Sequence, residues 1–339
     1  MKRIVAVLSF LLLCGCLQSA AQESSQVGTS MANFLKIGIG PRATAMGDAL
    51  VAMSDDASAL YWNPAGLGYV KKNELLMQST AWIGDTKLYF LGIVFPLGEF
   101  GTLGASVDYF TSGDMEETTI QQPDGTGRTF GTHDMALGVS YAKRLTDRFS
   151  VGVTVKYVSE SLSRETAEAV AFDIGSVYTT SFLNEMKLGI ALSNLGGSMK
   201  VEGPDLIVSH DVAPDVPTNK SVDASLATQS WDLPLTFRMG VGTFVYQTDA
   251  SSLSLEAGVN DTRDFQPRYN VGSELTVRVV GEQKVMFRLG YKGNYDEEGL
   301  TAGGGIVVNL SGFDFKMDYG YASFSRLGSV HRYAVSILF

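Results

Sequence analysis

From about Leu75 to Phe339 large apolar side chains alternate with small or polar ones, in runs of roughly ten residues. One run sets Met135, Leu137, Val139 and Tyr141 against Asp134, Ala136, Gly138 and Ser140; the next, past a short turn at Thr146, carries Phe149, Val151, Val153, Val155 and Tyr157. Side chains two apart share one face of a strand. A soluble sandwich shows the same alternation. Here the minor face carries Gly, Ser, Lys and Asp over many strands, and scarcely any amphipathic helix is available to cover the other face, so lipid must. The pattern therefore predicts an all-β transmembrane barrel of about 14 antiparallel strands.

Strands are expected near 74–82, 86–96, 100–110, 132–144, 149–160, 169–180, 186–194, 235–246, 251–259, 269–279, 284–292, 301–311, 313–322 and 331–339. Tight connections at Gly98-Glu99, Leu145–Arg148, Ser181–Glu185, Gln247–Ala250, Val280–Gln283 and Ser311-Gly312 alternate with mostly longer ones. Short periplasmic turns and long outer loops give that alternation, and an even strand number puts both chain termini in the periplasm. The longest connection, 195–234, shows no obvious strand, contains Pro204, Pro214 and Pro217, and is the expected partner surface. No internal apolar run reaches the roughly twenty residues a membrane helix needs.

The minor face places Asp108, Asp134, Lys156, Asp173, Lys187, Arg238, Glu256, Arg288, Lys292, Lys316 and Asp318 in the lumen. Each would cost a few kcal/mol facing lipid at mid-depth, and their mixed signs suit a structural network better than a selectivity filter.

Lys2 and Arg3, the apolar stretch Ile4–Leu13 and Ser19-Ala20-Ala21 read as an export signal cut after Ala21, which implies an outer-membrane destination for a barrel. The chain thus divides into a signal peptide (1–21), an N-terminal segment (22–73) and the barrel (74–339). Cys14 and Cys16 both fall in the signal; a competing lipoprotein reading would leave a lipid on Cys16. The formal charge is −10, and loss of Lys2 and Arg3 makes the remainder more acidic still. That balance argues against nucleic-acid binding.

The segment before the barrel has helical periodicity and many small residues. Ser54 or Asp55 is the expected N-cap of a short helix through Leu60 and Tyr61, and Pro64 stops it. Short Ala-rich helices suit a crowded place such as the inside of a barrel. The block Gly40-Pro41-Arg42-Ala43 with Ala45-Met46-Gly47, then Asp55-Asp56-Ala57, then Tyr61-Trp62-Asn63-Pro64-Ala65-Gly66 resembles the PorV/PorQ family of outer-membrane proteins, within the superfamily of FadL-like fatty-acid transporters. The resemblance implies a 14-stranded barrel whose N-terminal segment folds into the lumen as a hatch. Gly40, Pro41, Arg42, Gly47, Asp55, Asp56, Trp62, Asn63 and Pro64 would then be its motif.

The resemblance also implies a role in type IX secretion, with the C-terminal domains of secreted proteins and secretion-system components as partners. The alternative it leaves is passive passage of hydrophobic solutes. Tyr333, Val335, Ile337 and Phe339 look like the terminal-strand signal read by the outer-membrane assembly machinery. Outer-membrane lipid and lipopolysaccharide would surround the barrel.

Rival chemistries find little support. Gly38-Ile-Gly40-Pro41-Arg42-Ala43 superficially fits a dinucleotide fingerprint, but no βαβ unit surrounds it and Pro41 lacks a backbone donor. His133, His210 and His331 are far apart and none has a partner at metal-ligand spacing. No Gly-x-Ser-x-Gly elbow occurs. The acidic groups Asp114, Glu116, Glu117 and Asp296, Glu297, Glu298 read as solvated loop charge. No catalytic residue, cofactor or metal is expected.

Overall fold

The computed structural model describes residues 28–212, 221–279 and 281–339. The signal, both cysteines, Pro214 and Pro217 lie outside them. A closed barrel of 14 strands follows: β1 Glu74–Ala81, β2 Lys87–Pro96, β3 Thr102–Thr111, β4 Thr132–Thr146, β5 Phe149–Leu162, β6 Glu165–Thr179 and β7 Lys187–Gly196. The second half comprises β8 Thr236–Gln247, β9 Ser251–Thr262, β10 Arg268–Arg278, β11 Lys284–Gly293, β12 Leu300–Leu310, β13 Phe313–Ser323 and β14 Ser329–Leu338. Each strand pairs antiparallel with its neighbours in sequence, and β14 closes on β1 in the register Glu74↔Leu338 to Ala81↔His331.

The alternation sets the faces. Leu91, Leu103, Val139, Val153, Ile174 and Phe287 stand outward and exposed. A wall of this kind is covered by lipid. Towards the end that carries the longest loops, stacked or tilted rings mark the outer face: Tyr89 on Tyr109, Tyr109 on His133, and Tyr319 on Tyr333 and His331. Amphipathic rings favour such a membrane interface. His133 and His331 are thus members of that belt, their Nδ1 atoms 2.8 and 2.9 Å from the Tyr109 and Tyr319 hydroxyls.

Two expectations need correction. The connection between β5 and β6 is no long loop but the two-residue turn Ser163-Arg164, made possible by a left-handed Ser163 (φ 56°). The connection 197–235 also contains strands too short for periodicity to reveal. Ser198–Lys200 pairs with Ser230–Asp232, and Ile207–His210 with Val222–Ser225.

At the seam, Phe339 N donates to the Asn73 carbonyl at 3.0 Å and Asn73 N to the Phe339 carbonyl at 3.1 Å, while the Phe339 ring lies 6.4 Å from that of Phe313. Deleting Phe339 removes both hydrogen bonds and the terminal aromatic. Heat-modifiable barrel recovered from outer-membrane fractions should fall severalfold; unchanged recovery would deny the terminus any part in assembly.

Candidate functional site

The segment from Met31 to Val70 fills the lumen, and most of its side chains are buried. Much of it is neither long helix nor strand, so its backbone polar groups need partners from elsewhere. Inward side chains of the wall supply them. Gln78 on β1 accepts from Gly40 N at 2.5 Å, and Glu256 on β9 accepts from Ala52 N at 2.6 Å and Met53 N at 3.1 Å. Glu74 accepts from Ala57 N at 2.9 Å. In the other direction, Asn270 donates to the Gly47 carbonyl, Thr301 to that of Ala45 and Ser150 to that of Ala65.

Proline at the first position starts the short helix α1, Pro41–Ala45, directly after Gly40, whose φ of 88° favours glycine. Helix α2 spans Ala59–Trp62, and a 3₁₀ turn covers Pro64–Tyr69. Neither Ser54 nor Asp55 caps α2. Ser58 is at the N-cap without a side-chain cap bond, and its amide instead donates to Asp56 Oδ1 at 3.0 Å. Asp55, one of the two expected caps, pairs with Arg42 instead.

Asn63, fully buried, makes three hydrogen bonds. Its Nδ2 donates to the Val51 carbonyl at 2.8 Å and to that of Ser176 on β6 at 3.2 Å, while Oδ1 caps the 3₁₀ turn by accepting from Ala65 N at 3.1 Å. Trp62 donates Nε1–H to the Ile39 carbonyl at 2.7 Å. Arg238 lies 4.9 Å over the Tyr61 ring and 5.1 Å over that of Trp62. Burial pushes the Tyr61 phenol up to about 12 despite Arg238, so it keeps the proton it donates to the Leu35 carbonyl. One pair of aromatic residues therefore ties Leu35, Ile39 and β8 together.

The charged motif residues form a closed circuit with the wall. Arg42 meets Glu274 on β10 through Nε and Nη2, both at 3.1 Å, and Asp55 and Asp56 through Nη1 at 2.7 and 3.0 Å. Glu274 is shared with Arg288 on β11 (2.6 Å), which also holds Asp318 on β13 (2.6 Å). Asp318 contacts Lys316 at 3.4 Å, and Lys316 returns to Asp56 at 2.9 Å. Burial opposes ionisation of Asp56, but Lys316 and Arg42 outweigh it and hold that carboxyl well below its usual range. Breaking one link of a buried network strands its partners, whatever the network contributes as a whole.

Fit at the remaining contacts comes from glycine. Gly152↔Gly175, Gly189↔Gly240, Gly272↔Gly290 and Gly303↔Gly320 are directly opposed pairs on adjacent strands. A Cβ at these positions would collide with Pro64 and Asn63, with Val51, with Met46, and with Ala45 and Pro41, respectively. The wall is hollowed where the segment touches it.

Gly40, Pro41, Arg42, Gly47, Asp55, Asp56, Trp62, Asn63 and Pro64 thus converge inside one lumen. Of the anticipated lumen charges, Lys156 pairs with Asp173 at 2.9 Å, and Lys187 lies 4.2 Å over the Tyr69 ring near the opposite end from the long loops. Lys292 contacts both Asp48 and Glu298. Sequence reasoning missed Glu274, Glu74 and Gln78. Their inward parity on β10 and β1 was the available signal. On the long-loop side the segment floors a cavity of about 360 Å³; on the other side it meets a broad mouth of about 1090 Å³ bordered by Tyr69, Arg144 and Lys187.

A closed 14-stranded wall with an outward apolar face and a lumen occupied by its own N-terminal segment defines an outer-membrane barrel of FadL-like architecture. The chain belongs to the PorV family: residues 19–204 match the family profile described as type IX secretion system protein PorV. No curated protein matches it. Similar solved structures include the toluene transporter TbuX of Ralstonia pickettii, at 13% identity and a TM-score of 0.55 over 89% of this chain and 97% of that one. The Pseudomonas putida toluene transporter TodX is similar at 11% identity and a TM-score of 0.58, covering 89% and 98%. A Pseudomonas aeruginosa FadL homologue is similar at 12% and 0.53, covering 88% and 98%. At such identities the likeness is one of fold.

Proposed function

We propose that this chain is a non-enzymatic, plugged barrel serving protein export or surface attachment in a type IX secretion pathway. Family membership supports the pathway. The observation that carries the mechanism is the fastened lumen: the Arg42 circuit and Asn63 join the segment to β6, β10 and β13. A wall so closely fitted suits a protein whose working surface is its outer loops. Expected partners are the C-terminal domains of secreted proteins, with the assembly machinery acting earlier. Affinity capture from solubilised outer membranes should retain proteins carrying such domains. Capture that returns none, with the barrel intact, would remove this reading in favour of passage of hydrophobic solutes, the role named for the toluene transporters of the same fold.

In this reading the end with short turns faces the periplasm, and Phe339 with it. The expected placement of both termini there does not extend to the first described residues, since Met31 N donates to the Asp232 carbonyl and Lys36 pairs with Asp264, both at the long-loop end. Single cysteines introduced at Gly125 and at Thr146 separate the two orientations. A membrane-impermeant thiol reagent on intact cells should label the first and spare the second; labelling at Thr146 alone would invert the barrel.

A further inference from the structure

The cavity on the long-loop side has two poles. Arg332 on β14 borders it and is 1% exposed, and its Nε and Nη1 have no hydrogen-bond acceptor among the described residues. Its guanidinium lies 5.3 Å over the Trp82 ring. Asp48 and Glu298 offset its charge at longer range, but both are bonded to Lys292 and leave those donors unserved. Unserved buried donors of a charged group are costly, and a ligand that serves them binds well.

The opposite pole is acidic. Asp134 on β4 and Glu160 on β5 are directly paired across the two strands, border the same cavity and make no ion pair among the described residues. Like charges set directly opposite each other repel, and a cation between them relieves the repulsion.

The two poles share one row of the wall. Strand register runs Arg332↔Thr80, Thr80↔Leu88, Leu88↔Phe110, Phe110↔Asp134 and Asp134↔Glu160. Four strand spacings of about 4.8 Å separate Arg332 from Asp134, about 19 Å along the arc. Long side chains reaching inward from both walls leave a gap on the scale of an extended tripeptide, about 10 Å. Between the poles in this row Phe110 borders the cavity, apolar surface for an uncharged stem.

We propose that this cavity binds a short zwitterionic peptide, its carboxylate on Arg332 and its ammonium between Asp134 and Glu160. The site is separate from any docking of exported proteins on the loops. A neutral hydrocarbon would leave both poles unserved. A lone anion would serve one.

The test is calorimetric titration of the purified full chain in detergent with trialanine, N-acetyl-trialanine and trialanine amide. Trialanine should bind about tenfold or more tightly than either capped peptide. Arg332→Gln should abolish the preference over the amide while keeping that over the acetylated form. Asp134→Asn with Glu160→Gln should do the reverse, and heat-modifiability should report an intact barrel in each. Equal affinity for all three peptides, absence of trialanine binding at millimolar concentration, or variants that lose both preferences alike would overturn the proposal.

Discussion

Replacing Trp62 and Asn63 together with alanine is expected to leave the barrel folded and convert a near-silent lumen into one that conducts. The Trp62 ring is buried and its Nε1–H is committed to Ile39, so its loss costs about 3 to 5 kcal/mol. Asn63 holds both Val51 and Ser176, and losing such a buried partner costs about 1 to 3 kcal/mol. Both losses fall on the seating of the segment. The strand-to-strand hydrogen bonds of the closed wall are untouched. Single-channel recording in planar bilayers should show frequent opening, with the N-terminal segment newly open to protease. A double variant as silent and as protected as the parent would show that these residues do not fasten the lumen.

Arg42→Ala should unseat the same segment by a different route, and with a pH dependence that the Asp56 contribution in the parent lacks. It strips Asp55, Asp56 and Glu274 of a shared guanidinium, and breaking a buried pair in this way costs about 3 to 5 kcal/mol. In the parent, the folded-state pKa of Asp56 is depressed, so its contribution is complete above the usual aspartate range, near 3.9, and is lost only as pH falls through the lower folded value. The share of the segment's protease protection that rests on Asp56 should therefore stay constant from neutrality to about pH 4. In the variant, buried carboxylates lacking this cation acquire raised values, and their repulsion is relieved below those values. Protection should then improve on mild acidification. Arg42→Lys should rescue it only in part, because an ammonium cannot meet Glu274 through two parallel donors. A variant whose protection matches the parent at every pH would sink the account.

The barrel was legible because one side chain in two faces lipid over many strands, a signal that survives errors of a few residues at each boundary. Lumen charges followed from the same parity, so Arg288, Lys316 and Asp318 were anticipated as inward. Their partners were not. Arg42 and Glu274 are 232 residues apart, and nothing local in sequence joins them. The short paired strands at 207–210 and 222–225 are below the length at which alternation can be recognised. The N-cap is Ser58 rather than Ser54 or Asp55 because the helix starts later than its local signals suggest and Asp55, a good cap on local grounds, binds Arg42 instead. Glycine at inward positions was visible throughout, but its opposed pairing needs the register.

Those paired glycines make the barrel a casting of its own plug. Hollows opposite Pro64, Val51, Met46 and Ala45 fit one particular chain path, and a foreign segment with larger side chains at those points would meet backbone on both strands. Wall and plug can therefore change only in concert. A chimera carrying a relative's N-terminal segment would need the matching glycines transplanted with it, and the eight wall positions, rather than the motif alone, would decide which segments this barrel accepts.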